Sequence, residues 1–293
     1  MTPQVSVIIP TFNRAQMVRR AIESVLAQTF RDFELIVVDD GSTDETRAFL
    51  ESQKDKIVAL FHERNRGPAA ARNTGIAASN APMIAFLDSD DYWLPQKLEV
   101  QASFFRQHPQ AIACQTEEVW IRRGKRVNPK KIHRKPSGHI FVPSLRLCLI
   151  SPSAIMIKKQ ILDQIGWFDE TLPACEDYDL WLRLTCKWPV HLITKPFVVK
   201  HGGHPDQLSA KFWGMDRFRI RSIVKVLCSD ELSKEYREAA LSELRRKCRI
   251  YASGCLKRGK QEEARFFEAL PRKVEKGCPE ILDSPYLRDF EVK

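Results

Sequence analysis

The chain has 293 residues, 43% hydrophobic and 29% charged, a balance that excludes wholesale disorder and a fibrous repeat. At about 100–200 residues per domain, this length suits one large domain with an extension. Lys and Arg number 47 against 37 Asp and Glu, giving a formal charge of +10 and a pI near 9.2. Such basicity is compatible with nucleic acid, an anionic membrane surface or a phosphorylated substrate, and where the charge sits decides among them.

The first half alternates strand and helix signals. Val5 to Ile9 is a β-branched run ended by Pro10, and Val18, Ile22, Val25, Leu26 and Thr29 follow at helical spacing. Leu35 to Val38 reads as a second strand, after which Ser42 and Thr43 can cap a helix with Asp44 and Glu45 in its first turn. Ile57 to Phe61 is a third strand, Gly67-Pro68 opens an Ala-rich helix through Ala78, and Met83 to Leu87 is a fourth strand. Apolar strands separated by amphipathic helices imply a parallel sheet covered on both faces. Such sheets bind ligands at the carboxyl ends of their strands, where Asp39-Asp40 and Asp88-Ser-Asp-Asp91 both fall.

From Val119 to Leu162 the composition turns basic, with eleven Lys/Arg and no Asp/Glu, and Pro and Gly suggest a long loop or irregular insertion. A helix opens near Glu176, and His191 to Val199 reads as a strand. After about Ala210 the pattern is helical, with Ile220, Ile223, Val224 and Leu227 on one face and Leu241, Leu244 and Cys248 on another. Tyr251 to Ala264 loosely resembles half a tetratricopeptide repeat, and a single unit reads as a helical cap rather than an array.

The eight cysteines show no C-x-x-C spacing, which argues against a zinc ribbon or a thioredoxin-like site and favours free thiols. The N-terminus lacks the basic stretch and long apolar run of a secretion signal, and no apolar stretch approaches the ~18 residues of a membrane span. The expectation is a cytoplasmic protein, with peripheral contact at the inner face of a membrane left open.

Three carboxylates within Asp88-Ser89-Asp90-Asp91 repel one another, and a divalent cation with oxygen ligands resolves that repulsion. A solvated turn is the plainer account, and the position after a buried strand favours the metal. In Asp39-Asp40-Gly41-Ser42 a carboxylate can accept from a base N–H or a ribose hydroxyl, or serve only a turn and helix cap. Arg72, on the Ala-rich helix, is a cation among small residues.

Five segments together resemble family 2 glycosyltransferases. They are Val5-Ser-Val-Ile-Ile-Pro-Thr-Phe-Asn-Arg14, Ser24-Val-Leu-Ala-Gln-Thr-Phe30, Phe33-Glu-Leu-Ile-Val-Val-Asp-Asp-Gly-Ser-Thr-Asp44, Asn65-Arg-Gly-Pro-Ala-Ala-Ala-Arg-Asn73 and Phe86-Leu-Asp-Ser-Asp-Asp-Tyr-Trp93. The resemblance runs to near Ser209. It implies an α/β GT-A fold over residues 1–209, a mixed, mostly parallel Rossmann-like sheet flanked by helices. Residues 1–118 would form a nucleotide-sugar half and 119–209 an acceptor half, with 210–293 as a helical extension. By the same resemblance, Pro10, Thr11 and Asn13 line the nucleotide pocket. Asp40 holds the base with Arg72 near it (Asp39 being the weaker candidate), and Asp88 meets the ribose or diphosphate. Asp90 ligates Mg²⁺ or Mn²⁺.

The family also uses a general base in its second half, and Cys175-Glu-Asp177-Tyr-Asp179-Leu-Trp181 matches, with Asp177 at that position. An acceptor hydroxyl is a poor nucleophile, and a positioned carboxylate takes its proton. A helix N-terminal acid is the plainer account of Asp177. His204 and, less strongly, His201 can complete the metal shell or touch the diphosphate, while Trp167, Trp181 and Trp188 can stack on a sugar or pack the core.

The expected function is inverting, metal-dependent transfer from a nucleotide sugar, UDP-sugar favoured, to a hydroxyl of a glycan or lipid-linked acceptor. A sugar nucleotidyltransferase would want a Gly-rich loop after the first strand, and Pro10 to Arg14 holds no glycine. A nucleic-acid-binding protein would interleave aromatics with its cations, and residues 121–135 hold none. Since residues 119–162 carry eleven cations unopposed, the rest of the chain nets −1. The basicity is local and points to an anionic acceptor or an anionic lipid surface, with no nucleic acid.

Overall fold

A computed structural model describes residues 2–204, 212–277 and 279–288. The sequence boundary at Ser209 and the thiol of Cys278 lie outside the described residues. The described residues divide into two compact units. The first holds residues 1–138, 149–170 and 189–204, and the second holds 139–148, 171–188 and 205–293.

The first unit is built on β1 (Val5–Thr11), buried at every position because it is central. It pairs in parallel with β2 (Phe33–Asp39) on one side and β4 (Met83–Phe86) on the other, and β2 pairs in parallel with β3 (Val58–Phe61). Beyond β4 the sheet turns mixed. β8 (Ile155–Lys158) runs antiparallel to β4 and to β6 (Ala113–Arg122), β9 (His191–Gly202) parallel to β6, and β5 (Tyr92–Trp93) antiparallel to β9. Among the described residues these form one sheet in the order β3-β2-β1-β4-β8-β6-β9-β5, with β7 (Lys125–Val127) paired to β6 as a hairpin. The expected sheet flanked by helices is present, and its parallel half carries the first four strands. The basic stretch expected as a loop or irregular insertion instead contains β7, the end of β6, α5 (Phe141–Arg146), β8 and the start of α6 (Lys159–Ile165). Its charges occupy strand edges and turns while Ile155 to Ile157 are buried, so net charge misread order.

α1 (Ala15–Leu26) buries Val18, Ala21, Ile22 and Val25, the apolar stripe visible in the sequence. α3 (Pro68–Ala78) lies on the sheet because Gly75 has no side chain: a Cβ there would sit 2.4 Å from a methyl of Ile8. α2 (Thr46–Glu51) begins later than expected, and Ser42 and Thr43 do not cap it. Instead Asp44 Oδ1 accepts from Thr46 N at 3.0 Å, and Ser42 turns back to Asp39. α4 (Lys97–Gln107) buries Leu98 and Ala102.

Within β6, Glu118 is buried and pairs with Lys135 at 3.0 Å. Lys135 Nζ also donates to Thr116 O at 3.1 Å. Lys135 holds Glu118 down to about 2 against the opposing effect of burial, so one cation of the basic stretch is an internal strut.

The second unit is helical: α5, α7 (Glu176–Thr185), α8 (Asp216–Leu227), α9 (Lys234–Leu256), α10 (Gln261–Glu275) and α11 (Pro285–Arg288). Its core joins Phe141 and Leu145 of α5, Tyr178 and Leu182 of α7, and Phe218, Leu244 and Phe267 of the later helices. The sequence reading divides the chain at residue 209. The structure instead groups 139–148 and 171–188 with the helical part, because their apolar residues share this core.

The seven cysteines among the described residues are free. No helix among the described residues is long and apolar enough to cross a membrane.

Candidate active site

Parallel register brings the expected residues of the first unit to one edge. Thr11 ends β1 opposite Asp39 at the end of β2, and Asp88 follows β4. Pro10 lies inside β1, and the Thr11 hydroxyl is buried without a hydrogen-bond partner among the described residues, a donor and acceptor held ready at the strand end. Asn13 has φ 51°, a left-handed conformation that asparagine tolerates. Its Oδ1 accepts from Thr43 N at 2.7 Å, and its N–H donates to Ser42 Oγ at 2.8 Å, so the loops after β1 and β2 are laced together. Gly41, at φ +79°, sits where a Cβ would lie 2.6 Å from the Arg64 backbone, which makes the residue after the Asp pair obligate.

The two aspartates of that pair have separate tasks. Asp40 is buried, and its carboxylate accepts from Arg66 N at 2.9 Å and Gly67 N at 2.8 Å, with the His62 ring at 2.6 Å. It clamps the loop that opens α3. Asp39 uses Oδ1 for Ser42, and its Oδ2 has no partner among the described residues. Asp40, the expected partner of the base, retains one acceptor site on Oδ2, whereas Asp39 Oδ2 is without a partner among the described residues.

Arg72 is buried, donates to Asp88 Oδ1 at 2.7 Å, and lies 5.3 Å over the Phe168 ring. Asp88 N donates to Ser153 Oγ at 3.1 Å. Asn73, beside Arg72, is locked by Phe168 O and Glu170 at 2.9 Å each.

Asp90 and His204 meet. His204 Nε2 lies 2.8 Å from Asp90 Oδ2, and Arg14 reaches the same oxygen at 3.2 Å. Arg20 of α1 donates to Asp90 O at 2.7 Å, approaches His201 Nε2 at 3.5 Å, and lies over Tyr92. Burial, then the Arg20 charge, lowers the His201 imidazole below its ordinary range, which suits a neutral ring accepting from Arg20. These groups border a groove of about 370 Å³, lined also by Met17, Arg123 and Gly203. The third aspartate of the motif is structural. Asp91 is buried, accepts from Ser153 Oγ at 2.6 Å and His201 N at 2.9 Å, and so ties β9 to the motif. Burial pushes its carboxyl well above the usual range, with Lys200 opposing and Asp90 and Asp88 adding to the shift.

Asp90 Oδ2 and His204 Nε2 are hydrogen-bonded to each other, with Arg14 on the same oxygen, and these are the side chains at the groove that could hold a divalent cation. Among the described residues no cluster of three or more His, Cys, Asp or Glu forms. The remaining ligands would come from a phosphorylated substrate and water, as Mg²⁺ sites usually arrange.

Asp177 lies in the second unit, in the first turn of α7. Cys175 precedes that helix at φ 62°, a left-handed conformation costly for a residue with a Cβ. Glu176 and Asp179 beside it are buried, and Asp179 is taken by Arg183 and Lys225. Asp177 is partly exposed, receives Tyr178 N at 2.7 Å, and has the Cys148 thiol at 3.4 Å. Trp181 is buried in the second unit and serves packing rather than stacking.

Four residues escaped the sequence reading. Arg14 was visible, directly after the strand-end motif. Arg20, His62 and Ser153 carried no local signal, since each acts through a partner at least 12 residues away.

A family model described as glycosyl transferase family 2 matches residues 6–166. The chain belongs to glycosyl transferase family 2. Among curated relatives, an uncharacterized glycosyltransferase of Rickettsia felis is 37% identical over 186 residues, covering 63% of this chain and 30% of that protein. The Escherichia coli protein WfgD, named as a UDP-Glc:alpha-D-GlcNAc-diphosphoundecaprenol beta-1,3-glucosyltransferase, is 34% identical over 184 residues, covering 61% of this chain and 69% of that one. The chain thus spans less than two thirds of the length of the rickettsial relatives it matches. Among solved structures, S. aureus TarS 1-349 in complex with UDP-GlcNAc superposes with a TM-score of 0.74 at 21% identity, covering 96% of this chain and 83% of that one. That likeness concerns the fold, which is the GT-A fold of family 2.

Proposed function

We propose that this family 2 chain transfers a sugar, with inversion, from a nucleotide-sugar donor to a hydroxyl of a lipid-linked glycan acceptor. The observation that carries the reading is the convergence of Thr11, Asp39, Asp88 and the Asp90–His204 pair at the carboxyl edge of the parallel strands. The UDP-sugar named for WfgD and the UDP-GlcNAc bound in TarS favour a UDP-sugar donor. The diphosphate-lipid acceptor named for WfgD favours a lipid-linked acceptor.

In this reading Asp39 Oδ2 and the Thr11 hydroxyl receive the nucleoside, and Pro10 and Asn13 shape its walls. Asp40 clamps the loop that closes the pocket. Arg72, donating to Asp88 Oδ1, orients that carboxylate for the ribose or diphosphate. Asp90 and His204 would hold Mg²⁺ or Mn²⁺, which when bound neutralises charge on the departing diphosphate. Asp177 accepts the proton of the acceptor hydroxyl as its oxygen bonds the anomeric carbon and the diphosphate departs from the opposite face.

The test is nucleotide release from UDP-, GDP- and dTDP-sugars, with and without a diphosphate-lipid acceptor, in Mn²⁺ and in EDTA. Release that depends on both acceptor and metal is the expected result. Absence of turnover and of donor binding with every nucleotide sugar overturns the reading. Formation of a nucleotide sugar from a sugar phosphate and a nucleoside triphosphate would favour a nucleotidyltransferase instead.

A further inference from the structure

Seven cations of the basic stretch are exposed: Arg122, Arg123, Lys125 and Arg126 on the β6–β7 hairpin, and Lys130, Lys131 and Arg134 around a 3₁₀ turn at Lys131–His133. Among the described residues none of them has a carboxylate partner, and no acidic residue lies between positions 119 and 162. In the middle of the turn Ile132 is 47% exposed, among the more exposed large apolar side chains of the described residues. Its neighbour His133 packs its ring against Trp120 of β6, with centroids 5.2 Å apart. Just beyond, the buried Glu118–Lys135 pair pins the end of the turn to the same strand. The fold therefore presents an exposed Ile132 flanked in its turn by Lys130, Lys131 and Arg134, with four more exposed cations on the preceding hairpin, on a braced support.

We propose that this face docks on an anionic lipid surface, with Ile132 entering the interface and the seven cations meeting headgroup phosphates. A nucleic-acid surface would call for exposed stacking rings among the cations. Here the one aromatic residue beside them, Trp120, is used internally by His133 and by Glu118, which accepts from Trp120 Nε1 at 3.0 Å. A soluble anion would call for convergent donors, whereas these side chains spread along a hairpin and a turn. An apolar residue within a basic cluster is the arrangement that interfacial binding rewards. The hairpin's Arg123 and Gly124 also line the groove that holds Asp90 and His204, so docking brings that groove to the lipid surface. This deepens, and rests on, the reading of a lipid-linked acceptor, although the docking is measured without any sugar donor.

The experiment is co-sedimentation of the whole chain with vesicles of phosphatidylcholine alone or mixed with phosphatidylglycerol. It compares the parent, the variant Lys125→Gln/Arg126→Gln/Lys130→Gln/Lys131→Gln/Arg134→Gln, and Ile132→Ser. These positions lie outside the groove, and a cooperative thermal melt confirms that each variant folds. Expected are binding to the anionic vesicles only, a loss of roughly fivefold in partitioning per cation removed, a several-fold loss with Ile132→Ser, and release by salt as screening shortens electrostatic reach. Equal binding of parent and five-fold variant, or no binding of the parent to anionic vesicles, overturns the proposal. So does displacement of the bound parent by millimolar inorganic diphosphate at constant ionic strength, which would reveal a phosphate site instead. Failure of sugar transfer with docking intact would count against the acceptor reading alone.

Discussion

His204 Nε2 stands 2.8 Å from Asp90 Oδ2, joining the far end of the chain's first unit to the turn after β4. Arg14 shares that oxygen at 3.2 Å, so three segments far apart in sequence meet on one carboxylate. Asp90→Asn and His204→Ala should each reduce Mn²⁺-dependent nucleotide-sugar affinity by about tenfold or more, on the scale of ligand-sphere changes. Affinity measured in EDTA should change little. Calorimetric titration of UDP with and without Mn²⁺ checks this, and an unaltered metal dependence in both variants would remove the pair from the metal role.

The neighbouring aspartates should separate cleanly. Asp40→Asn leaves Arg66 N, Gly67 N and His62 poorly matched, and should lower stability by about 1–3 kcal/mol. Asp39→Asn keeps most of the loop bonding, and should instead weaken nucleotide binding at nearly unchanged stability. Urea denaturation together with nucleotide titration distinguishes the two; reversed phenotypes would return the base-binding role to Asp40.

Asp177→Asn preserves the size of the side chain and an acceptor for Tyr178 N. It should lower kcat by about 10²–10⁴-fold, the range of a lost general base, with donor affinity intact. Steady-state kinetics paired with donor titration is the measurement. A loss confined to donor affinity would show that Asp177 acts elsewhere.

Lys97 supplies a pH signature independent of catalysis. It is buried in α4, donates to Gln101 Oε1 at 2.6 Å, and lies 3.8 Å from the Trp93 ring centre. Burial pushes its ammonium from 10.5 down to about 7. Below pH 7 both folded and unfolded chains carry the proton, and the folded state bears the full cost of a buried charge. Between about 7 and 10.5 the unfolded chain holds the proton that the folded one has released, so this group's contribution to stability rises with pH. Lys97→Met should abolish that rise and match or exceed the parent at pH 7, as seen in urea midpoints across this range. A parallel pH dependence in parent and variant would assign the slope to other groups.

Glu118 gives the opposite edge. Lys135 holds it at about 2 instead of 4.5, so its stabilisation is complete above about 4.5 and is lost as pH falls through 2. Lys135→Met strands a buried carboxylate and should cost about 3–5 kcal/mol near neutrality. Acid unfolding followed by circular dichroism should then begin at a higher pH than in the parent; an unchanged onset would mean that Glu118 finds another partner.

What was legible in the chain was whatever is local. The buried strands, the α1 stripe and the carboxylates after β2 and β4 follow from residue order, because strand pitch and helical period act over a few residues. The family motifs in the first half likewise stand in contiguous stretches. The same locality misled at residues 119–162, where a run of cations was read as irregular although its apolar residues enter the sheet as β8.

The sequence by itself determined the strand-and-helix alternation, the strand-edge carboxylates and the local origin of the +10 charge. Only tertiary structure decided which partners each of the two adjacent aspartates takes. Asp39 and Asp40 are adjacent and chemically identical, and successive side chains of an extended chain point to opposite sides, one toward Ser42 and the other toward His62 and Gly67. Tertiary structure likewise decided that Lys135 is an internal strut while seven neighbouring cations face outward. Hydrogen-bond partners and burial belong to the folded chain, and no residue order states them.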